Sequence, residues 1–394
     1  MEGMNSNLSS FLNLSRWLAA LLVVTGHIKN ILFVDFGDVT HKTVACRLFY
    51  FVSGLGHEAV VIFFVISGFL VGGLTIRHWQ TTGPDLKAYA IARFSRIYTV
   101  LVPALLLGVL LDIIGIHWVN ASALYSNPDA YHIASLKIAI NPSIDLKIAL
   151  GNLLMLENIR VPPLGSNYPL WSLAYEWWYY CIFALIAVAL TAPGYKKRIF
   201  FGVAALLLAI ILPAKLVIWG IIWSLGLAAY FWAHSRVWSP PAYVGFILVL
   251  LSLIASRIIR DPGGIGPNET LFLPFLKDSA IALCYVTAVV GASRMKRSSI
   301  CPALHRWLAD FSYTTYLTHF PLMLFSVAVA FQLFGVQFRR QPSANGMLYF
   351  ILLSSFVLAV CYLLSRVTER KTTVIRNSIT TLLRDRVRAT SNSA

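Results

Sequence analysis

Two residues in the first apolar stretch of this chain, Arg16 and His27, could carry out chemistry together on one face of a helix. They are eleven residues apart in the sequence, and eleven residues of α-helix make close to three full turns, a rise of about 16 Å. A guanidinium and an imidazole are costly to bury in a bilayer, so a membrane helix that keeps both is typically functional. The histidine could take a proton from a hydroxyl group and pass it on.

Two carboxylates are candidates to orient that imidazole. Glu176 lies in the aromatic-rich stretch 169–180, and Glu58 directly follows His57. An unpaired carboxylate among aromatic side chains at membrane depth would be expensive, which favours a functional role for Glu176, whereas His57 and Glu58 could equally be solvated loop residues. The candidate catalytic residues are therefore His27, Glu176 and Glu58.

A second group of residues is suited to binding an anion near the cytoplasmic side. Arg93 and Arg96 are three residues apart, so on a helix their guanidiniums would be adjacent and could hold phosphate groups. Arg16 and His319 complete this group. Each member also has a structural interpretation: the arginines could anchor helix ends in the headgroup region, and His319, close to Pro321, could brace a kinked helix.

The composition indicates that most of this chain lies in a membrane. Of 394 residues, 58% are hydrophobic and 12% are charged, with a mean hydropathy of +0.72, whereas soluble proteins carry roughly 25% charged residues. The net charge of +16 is typical of basic cytoplasmic loops in a membrane protein, so we expect no nucleic-acid partner. The five cysteines are scattered without metal-ligand spacing, and we expect no metal site.

Ten stretches are apolar over about the length that a bilayer requires. Their approximate limits are 12–31, 53–76, 97–117, 170–191, 198–213, 215–233, 242–259, 271–291, 310–335 and 347–366. Pro213 separates the fifth from the sixth so tightly that 198–233 could also be one broken helix. Most Lys and Arg residues then fall inside when both termini are cytoplasmic. The predicted fold is an all-α polytopic membrane protein with about ten transmembrane helices, N-in and C-in, and no separate soluble domain.

The stretches outside the predicted spans are short. We expect residues 1–370 to form one transmembrane domain and 371–394 to be a basic cytoplasmic tail that can lie on an anionic leaflet. The longest extramembrane segment, 118–169, is predicted to lie outside and to contain a short amphipathic helix around Ser143–Glu157. No small-residue cleavage site follows the first apolar run, so we expect that run to be retained as a signal anchor.

Several motifs occur in a fixed order along the chain. They are Arg16 with His27, Val60-Val-Ile-Phe-Phe-Val-Ile-Ser-Gly-Phe-Leu70, Arg93-Phe-Ser-Arg96, Leu170-Trp-Ser-Leu-Ala-Tyr-Glu176 and Phe311-Ser-Tyr-Thr-Thr-Tyr-Leu-Thr-His-Phe-Pro321. Together they resemble the membrane-bound acyltransferase 3 family, bacterial proteins that O-acylate sugars and other extracytoplasmic acceptors. Each motif is weak alone, but five in the same order over roughly residues 12–370 make a specific resemblance.

The resemblance implies an activity, a donor and a location. It implies an O-acyltransferase of the bacterial cytoplasmic (inner) membrane that moves a short acyl group, usually acetyl, from acyl-CoA to a carbohydrate or glycolipid hydroxyl, as in exopolysaccharide. In that family the histidine matched by His27 is regarded as catalytic, and the arginines matched by Arg93 and Arg96 are tied to acyl-CoA. Many members carry Asp where this chain has Val61, so any role of that Asp would pass to another carboxylate, with Glu58 the candidate.

Other functions are compatible with buried charges in a polytopic protein. A transporter or flippase of lipid-linked sugar or small solutes is the main alternative, although no inverted repeat is visible in the span pattern. A polysaccharide polymerase or ligase ranks third, because the predicted outer segment 118–169 carries few basic residues. Direct transfer and an acyl-histidine intermediate both remain open, as do the acceptor, the acyl chain and the oligomeric state.

Overall fold

A computed structural model describes residues 5–131, 133, 136, 139–259, 271–296 and 300–392. Within these residues the chain is helical and contains no strand. The helices are α1 (Ser6–Leu32), α2 (Val44–Ser53), α3 (Gly56–Ser67), α4 (Leu74–Thr82), α5 (Leu86–Trp118), α6 (Leu146–Leu153), α7 (Trp171–Thr191), α8 (Tyr195–Ile211), α9 (Ala214–His234), α10 (Ala242–Ile258), α11 (Phe272–Ser293), α12 (Pro302–Ala309), α13 (Ser312–Phe334), α14 (Ala344–Val367) and α15 (Thr372–Asn392). The predicted all-α class is confirmed.

Eight helical segments in the described chain are long and apolar enough to cross a membrane. These are Ser6–Leu32, Val44–Thr82, Leu86–Trp118, Tyr168–Thr191, Ala214–His234, Phe272–Ser293, Ser312–Phe334 and Ala344–Asp385. The two other predicted spans are also helical, as α8 and α10, but each has only 17 residues. The polytopic membrane fold is thus confirmed, whereas the count of ten and the orientation stay predictions.

The uncertain stretch 198–233 consists of two separate helices. Leu212 and Pro213, which lie between α8 and α9, both have extended backbone conformations. Proline has no amide hydrogen and disfavours a helical residue before it. The chain therefore leaves the α-helical conformation at this point instead of continuing as one kinked span.

The chain divides into two compact units. The first contains Met1–Gly26, His41–Pro84 and Ser172–Ala309, and the second contains His27–Thr40, Asp85–Trp171 and Asp310–Ala394. Helix α15 packs against α5 within the second unit, and the division into a transmembrane domain 1–370 and a basic tail 371–394 stays a prediction.

In the first unit, glycines let two backbones touch. A Cβ atom on Gly226 of α9 would lie 2.0 Å from the carbonyl oxygen of Val65, and one on Gly68 would lie 1.9 Å from that of Trp223. Gly68 begins a π-helical turn, Gly68–Gly73, between α3 and α4. Membrane helices gain much of their association energy from such close contacts between small residues. Gly68 of the Val60–Leu70 motif and Gly226 of α9 therefore let these two segments pack closely.

In the second unit, the segment after α5 folds back onto that helix. A Cβ on Gly115 would lie 2.2 Å from the Tyr125 ring, and the buried Asp112 accepts a hydrogen bond from the backbone N–H of Ser166 at 2.7 Å. The predicted amphipathic helix is present here as α6, with Asp145 as its N-cap. This packing leads the chain back towards the start of α7.

We expect the close contact at Gly226 to make the fold sensitive to a larger side chain at this position. Gly226→Ala should lower the free energy of unfolding by about 1–3 kcal/mol, because the added methyl group forces two backbones apart. Gly202→Ala is the matched control: it lies in α8, and its Cβ would meet only Ala189, at 4.0 Å. Thermal unfolding in detergent checks this, and equal midpoints for both variants would contradict it.

Candidate active site

Within the second unit, the end of α1 and the middle of α13 bring two histidines together. The rings of His27 and His319 have centroids 5.4 Å apart and planes inclined by 32°. His319 is fully buried, whereas His27 is partly exposed. His319 was predicted to belong to an anion-binding group near the cytoplasm. In the structure its ring lies against that of His27, the predicted catalytic base.

The backbone of α13 fixes the tautomer of His319. Its Nδ1 lies 3.0 Å from the carbonyl oxygen of Thr315 and 2.9 Å from that of Tyr316. Carbonyl oxygens only accept hydrogen bonds, so Nδ1 carries the proton and Nε2 carries a lone pair. Nε2 is buried and has no hydrogen-bond partner among the described residues. The pair therefore contains a buried proton acceptor next to a more accessible imidazole.

Aromatic residues enclose the histidine pair. Phe320 packs edge-on against His27 with centroids 5.1 Å apart, and the Tyr168 ring lies 6.1 Å from Phe320. The Tyr316 hydroxyl donates to the carbonyl oxygen of Pro169 at 3.2 Å. The segment before α7 is thus attached to α13 beside the histidines, which gives the pair a largely apolar surrounding.

One of the predicted phosphate-binding arginines has a carboxylate partner. Arg96 donates to Oε1 of Glu369 at 2.8 Å and lies over the Tyr313 ring at 4.7 Å. The other oxygen of Glu369 accepts from the backbone N–H and the hydroxyl of Thr314, at 3.0 and 3.2 Å. Glu369 therefore ties the start of α5 to the start of α13.

Arg93 and Arg16, the two other predicted donor-binding arginines, lie on α5 and α1. The Arg93 guanidinium lies 5.8 Å from the Tyr89 ring centroid, one turn earlier in α5. Arg16 lies in α1, and both arginines are partly exposed. Helix α1 is continuous from Ser6 to Leu32, so Arg16 and His27 occupy one helix as predicted. Their assignment to the donor stays a prediction.

The two predicted catalytic carboxylates lie in the first unit, each with its own partners. Glu176 accepts from the hydroxyl of Tyr180 at 2.5 Å, Tyr180 lies 3.1 Å from the Ser67 hydroxyl, and the Trp223 indole N–H donates to Ser67 at 3.1 Å. Because the indole N–H can only donate, these hydrogen bonds run in one direction: Trp223 donates to Ser67, Ser67 donates to Tyr180, and Tyr180 donates to Glu176. The hydrogen bond from Tyr180, supported by Ser67 and Trp223, thus offsets the desolvation cost of placing the Glu176 carboxylate among aromatic rings.

Glu58 is buried at the start of α3 and accepts from the Ser256 hydroxyl at 2.8 Å. In the described part of the chain, no group of three or more His, Cys, Asp or Glu residues is arranged to hold a metal ion. The five cysteines are free thiols. The chemistry available at the histidine pair is proton transfer or nucleophilic attack by an imidazole.

Sequence reasoning missed Glu369 and the role of the Thr315 carbonyl. Glu369 directly follows the last predicted span among basic residues, which is a detectable signal: a lone carboxylate there is a candidate partner for an arginine. The carbonyl groups that orient His319 belong to the main chain, which is the same at every residue, so the sequence could not reveal them.

We expect Glu369 to matter for stability. Glu369→Ala removes the acceptor of Arg96 and of the buried Thr314 N–H, so the free energy of unfolding should fall by about 2 kcal/mol. Asp385→Ala, at an exposed position of α15, is the control and should have little effect. A thermal unfolding midpoint that drops equally for both substitutions would refute this role.

The comparisons with known proteins agree with the motifs. A family model described as an acyltransferase domain, that of the acyltransferase 3 family, matches residues 9–366. No curated protein and no solved structure matches the chain significantly. Since the match extends over nearly the whole sequence, including α1, α5 and α13, the chain belongs to the acyltransferase 3 family of membrane acyltransferases.

Proposed function

We propose that this acyltransferase moves a short acyl group, most often acetyl, from cytoplasmic acyl-CoA to a hydroxyl of an extracytoplasmic or lipid-linked carbohydrate. The proposed location is the bacterial cytoplasmic (inner) membrane, which the protein crosses several times. Acyl-CoA is a co-substrate, the acceptor is a carbohydrate or glycolipid, and membrane lipid surrounds the helices. No metal takes part in the proposed reaction.

The observation that carries the proposal is the histidine pair. His27 is partly exposed, and His319 stands beside it with a fixed tautomer and a buried lone pair on Nε2. An enclosed imidazole next to a second proton acceptor is suited to hold and return a proton during transfer. A transporter leaves its cargo chemically unchanged, whereas an acyltransferase needs a base at the acceptor hydroxyl.

The proposed transfer is a substitution at the thioester carbonyl. His27 takes the proton of the acceptor hydroxyl as its oxygen bonds to the carbonyl carbon; the carbon–sulfur bond then breaks, and the thiolate of CoA receives the proton. In the acyl-histidine variant, the imidazole of His27 attacks the carbonyl, the carbon–sulfur bond breaks and CoA leaves as a thiolate. In a second step the acceptor oxygen bonds to the acyl carbon, the bond to the imidazole breaks, and the hydroxyl proton passes to the thiolate. In both routes the neighbouring His319 can hydrogen-bond to an N–H or O–H donor at the site.

The donor is proposed to bind through the arginines. Arg93 and Arg96 lie three residues apart near the start of α5, with guanidinium groups suited to phosphates. Arg96 is already held by Glu369, which orients its planar fork. Arg16, on the same helix as His27, is proposed to shape the path of the acyl chain. That Glu176 or Glu58 orients His27 remains a prediction.

His27→Ala should reduce acyl transfer from labelled acetyl-CoA by about a hundredfold or more, because it removes the proposed base. The purified variant must show the same unfolding midpoint as the unmodified chain. His78→Ala removes an exposed histidine in α4 and should retain full activity. Undiminished acyl transfer by a folded His27→Ala protein would contradict the proposed mechanism.

Substitution of His319 distinguishes a role beside the base from a role in donor binding. If His319 acts on the proton at His27, His319→Ala should lower kcat by about tenfold or more while the KM for acetyl-CoA changes little. His319→Gln keeps an acceptor oxygen and should be less impaired. A raised KM at unchanged kcat would support donor binding instead.

A further inference from the structure

Asp112, in the second unit, carries a buried carboxyl group that the proposed reaction does not use. It lies in α5, one of the helices long and apolar enough to cross a membrane, and it is fully buried. The backbone N–H of Ser166 donates to its Oδ2 at 2.7 Å. A carboxyl group removed from water is costly, and one inside a membrane-spanning helix is typically functional. Asp112 is therefore a candidate functional residue outside the histidine pair.

The segment that Asp112 holds is a tight turn, residues 165–169. Gly165 has a φ of +57°, and a Cβ atom at this position would lie 2.1 Å from Oδ2 of Asp112, so the turn needs a glycine here. Asn167 is buried, and a Cβ on Gly108 of α5 would lie 2.3 Å from its Nδ2. Gly108 precedes Asp112 by about one helical turn. The 165–169 turn is therefore packed against α5 at two successive levels.

The other side of the 165–169 turn contacts α13. The carbonyl oxygen of Pro169 accepts from the Tyr316 hydroxyl at 3.2 Å. The Tyr168 ring lies 6.1 Å from the ring of Phe320, measured between centroids. Tyr316 and Phe320 are four residues apart, so they lie on one face of α13. The turn thus bridges α5 and α13.

The two α13 residues that contact the turn also contact the histidine pair. The carbonyl oxygen of Tyr316 accepts from Nδ1 of His319 at 2.9 Å. The Phe320 ring packs edge-on against His27, with centroids 5.1 Å apart. All of these residues belong to the second unit. A change in the position of the turn therefore acts on residues that touch both imidazoles.

We propose that Asp112 is a positioning residue for acyl transfer. Its carboxyl group holds the 165–169 turn so that the Tyr168 ring supports Phe320 and, through Phe320, the imidazole of His27. The role requires an oxygen that accepts from a main-chain N–H, and it does not require a negative charge. This inference rests on the proposed function and adds a residue to the structure that supports its catalytic base.

Three substitutions test this role. Asp112→Ala removes the acceptor, whereas Asp112→Asn keeps an acceptor oxygen for the Ser166 N–H and removes only the charge. Tyr168→Ala removes the ring through which the turn reaches Phe320. Asp129→Ala is the matched control, because Asp129 is an exposed aspartate of the same unit. Should Asp112→Ala fail to fold, Asp112→Leu fills the space with an apolar side chain and takes its place.

The experiment uses bromoacetyl-CoA, because an imidazole nitrogen of His27 can displace its bromide and no acceptor is needed. Peptide mass spectrometry of the purified full-length protein gives the limiting alkylation rate and the half-saturating concentration. Asp112→Ala and Tyr168→Ala should each lower the limiting rate by about three- to tenfold at a similar half-saturating concentration, because they disturb the base and not donor binding. Asp112→Asn should stay within about twofold, and Asp129→Ala should be unchanged. Thermal unfolding midpoints show that each variant is folded.

The double variant separates positioning from general stabilisation. If Asp112 acts through Tyr168, the protein with both alanines should be about as slow as either single variant, because residues in one contact network do not act additively. Rate losses that multiply would overturn the proposal. An Asp112→Asn protein as slow as Asp112→Ala would overturn it as well, and so would an equal loss in Asp129→Ala.

The outcomes distinguish this proposal from the one on which it rests. If CoA-protected alkylation of His27 occurs in the unmodified chain and Asp112→Ala keeps its rate, the positioning role fails alone. If CoA-protected alkylation of His27 is absent from the unmodified chain, the proposed function fails and the positioning role fails with it.

Discussion

Two main-chain carbonyl groups, those of Thr315 and Tyr316, determine how the histidine pair can work. Both accept from Nδ1 of His319, so this ring can neither rotate freely nor exchange its tautomer without losing a buried hydrogen bond. Its Nε2 lone pair is thereby directed away from the helix backbone. His27, 5.4 Å away between ring centroids, has a neighbour of defined chemistry. In the proposed mechanism, proton transfer at His27 depends on that constraint.

The same logic governs the carboxylates of the two units. A carboxylate removed from water costs several kcal/mol unless it is hydrogen-bonded, and the structure supplies a specific donor in each case. Tyr180 serves Glu176, Arg96 and Thr314 serve Glu369, and Trp219 and His57 serve Asp278. Two of these donors, the Tyr180 hydroxyl and the Trp219 indole, belong to aromatic side chains that a hydropathy profile treats as ordinary parts of a span. Each of these three carboxylates is therefore stabilised by specific hydrogen-bond donors.

Much of the fold could be predicted because lipid leaves the backbone few choices. Every apolar stretch of sufficient length forms a helix, and α8 ends where Leu212 and Pro213 make helical continuation unfavourable. The break between α2 and α3 was not predicted: it lies at Gly54 and Leu55, at the start of the predicted span 53–76, where no proline marks it. Helices α8 and α10, with 17 residues each, are at the lower end of the length that a bilayer requires.

The site was predictable only in part. His27 stands out because an imidazole in a first span is expensive, and the family motifs mark it directly. The pairing of His27 with His319, and of Arg96 with Glu369, joins residues separated by hundreds of positions in the sequence, so neither could be derived from local spacing. Asp278 illustrates the same limit: its sequence context is that of an ordinary apolar helix, and only packing brings it to His57 and Trp219.

The central claim is that an acyl thioester reaches His27. Bromoacetyl-CoA, which alkylates nucleophilic side chains near the acyl position, tests this without requiring an acceptor. Incubation with the purified protein, followed by peptide mass spectrometry, should show alkylation of His27, and an excess of CoA should prevent it. Alkylation confined to the cysteines, or labelling of His27 that CoA does not suppress, would contradict the account.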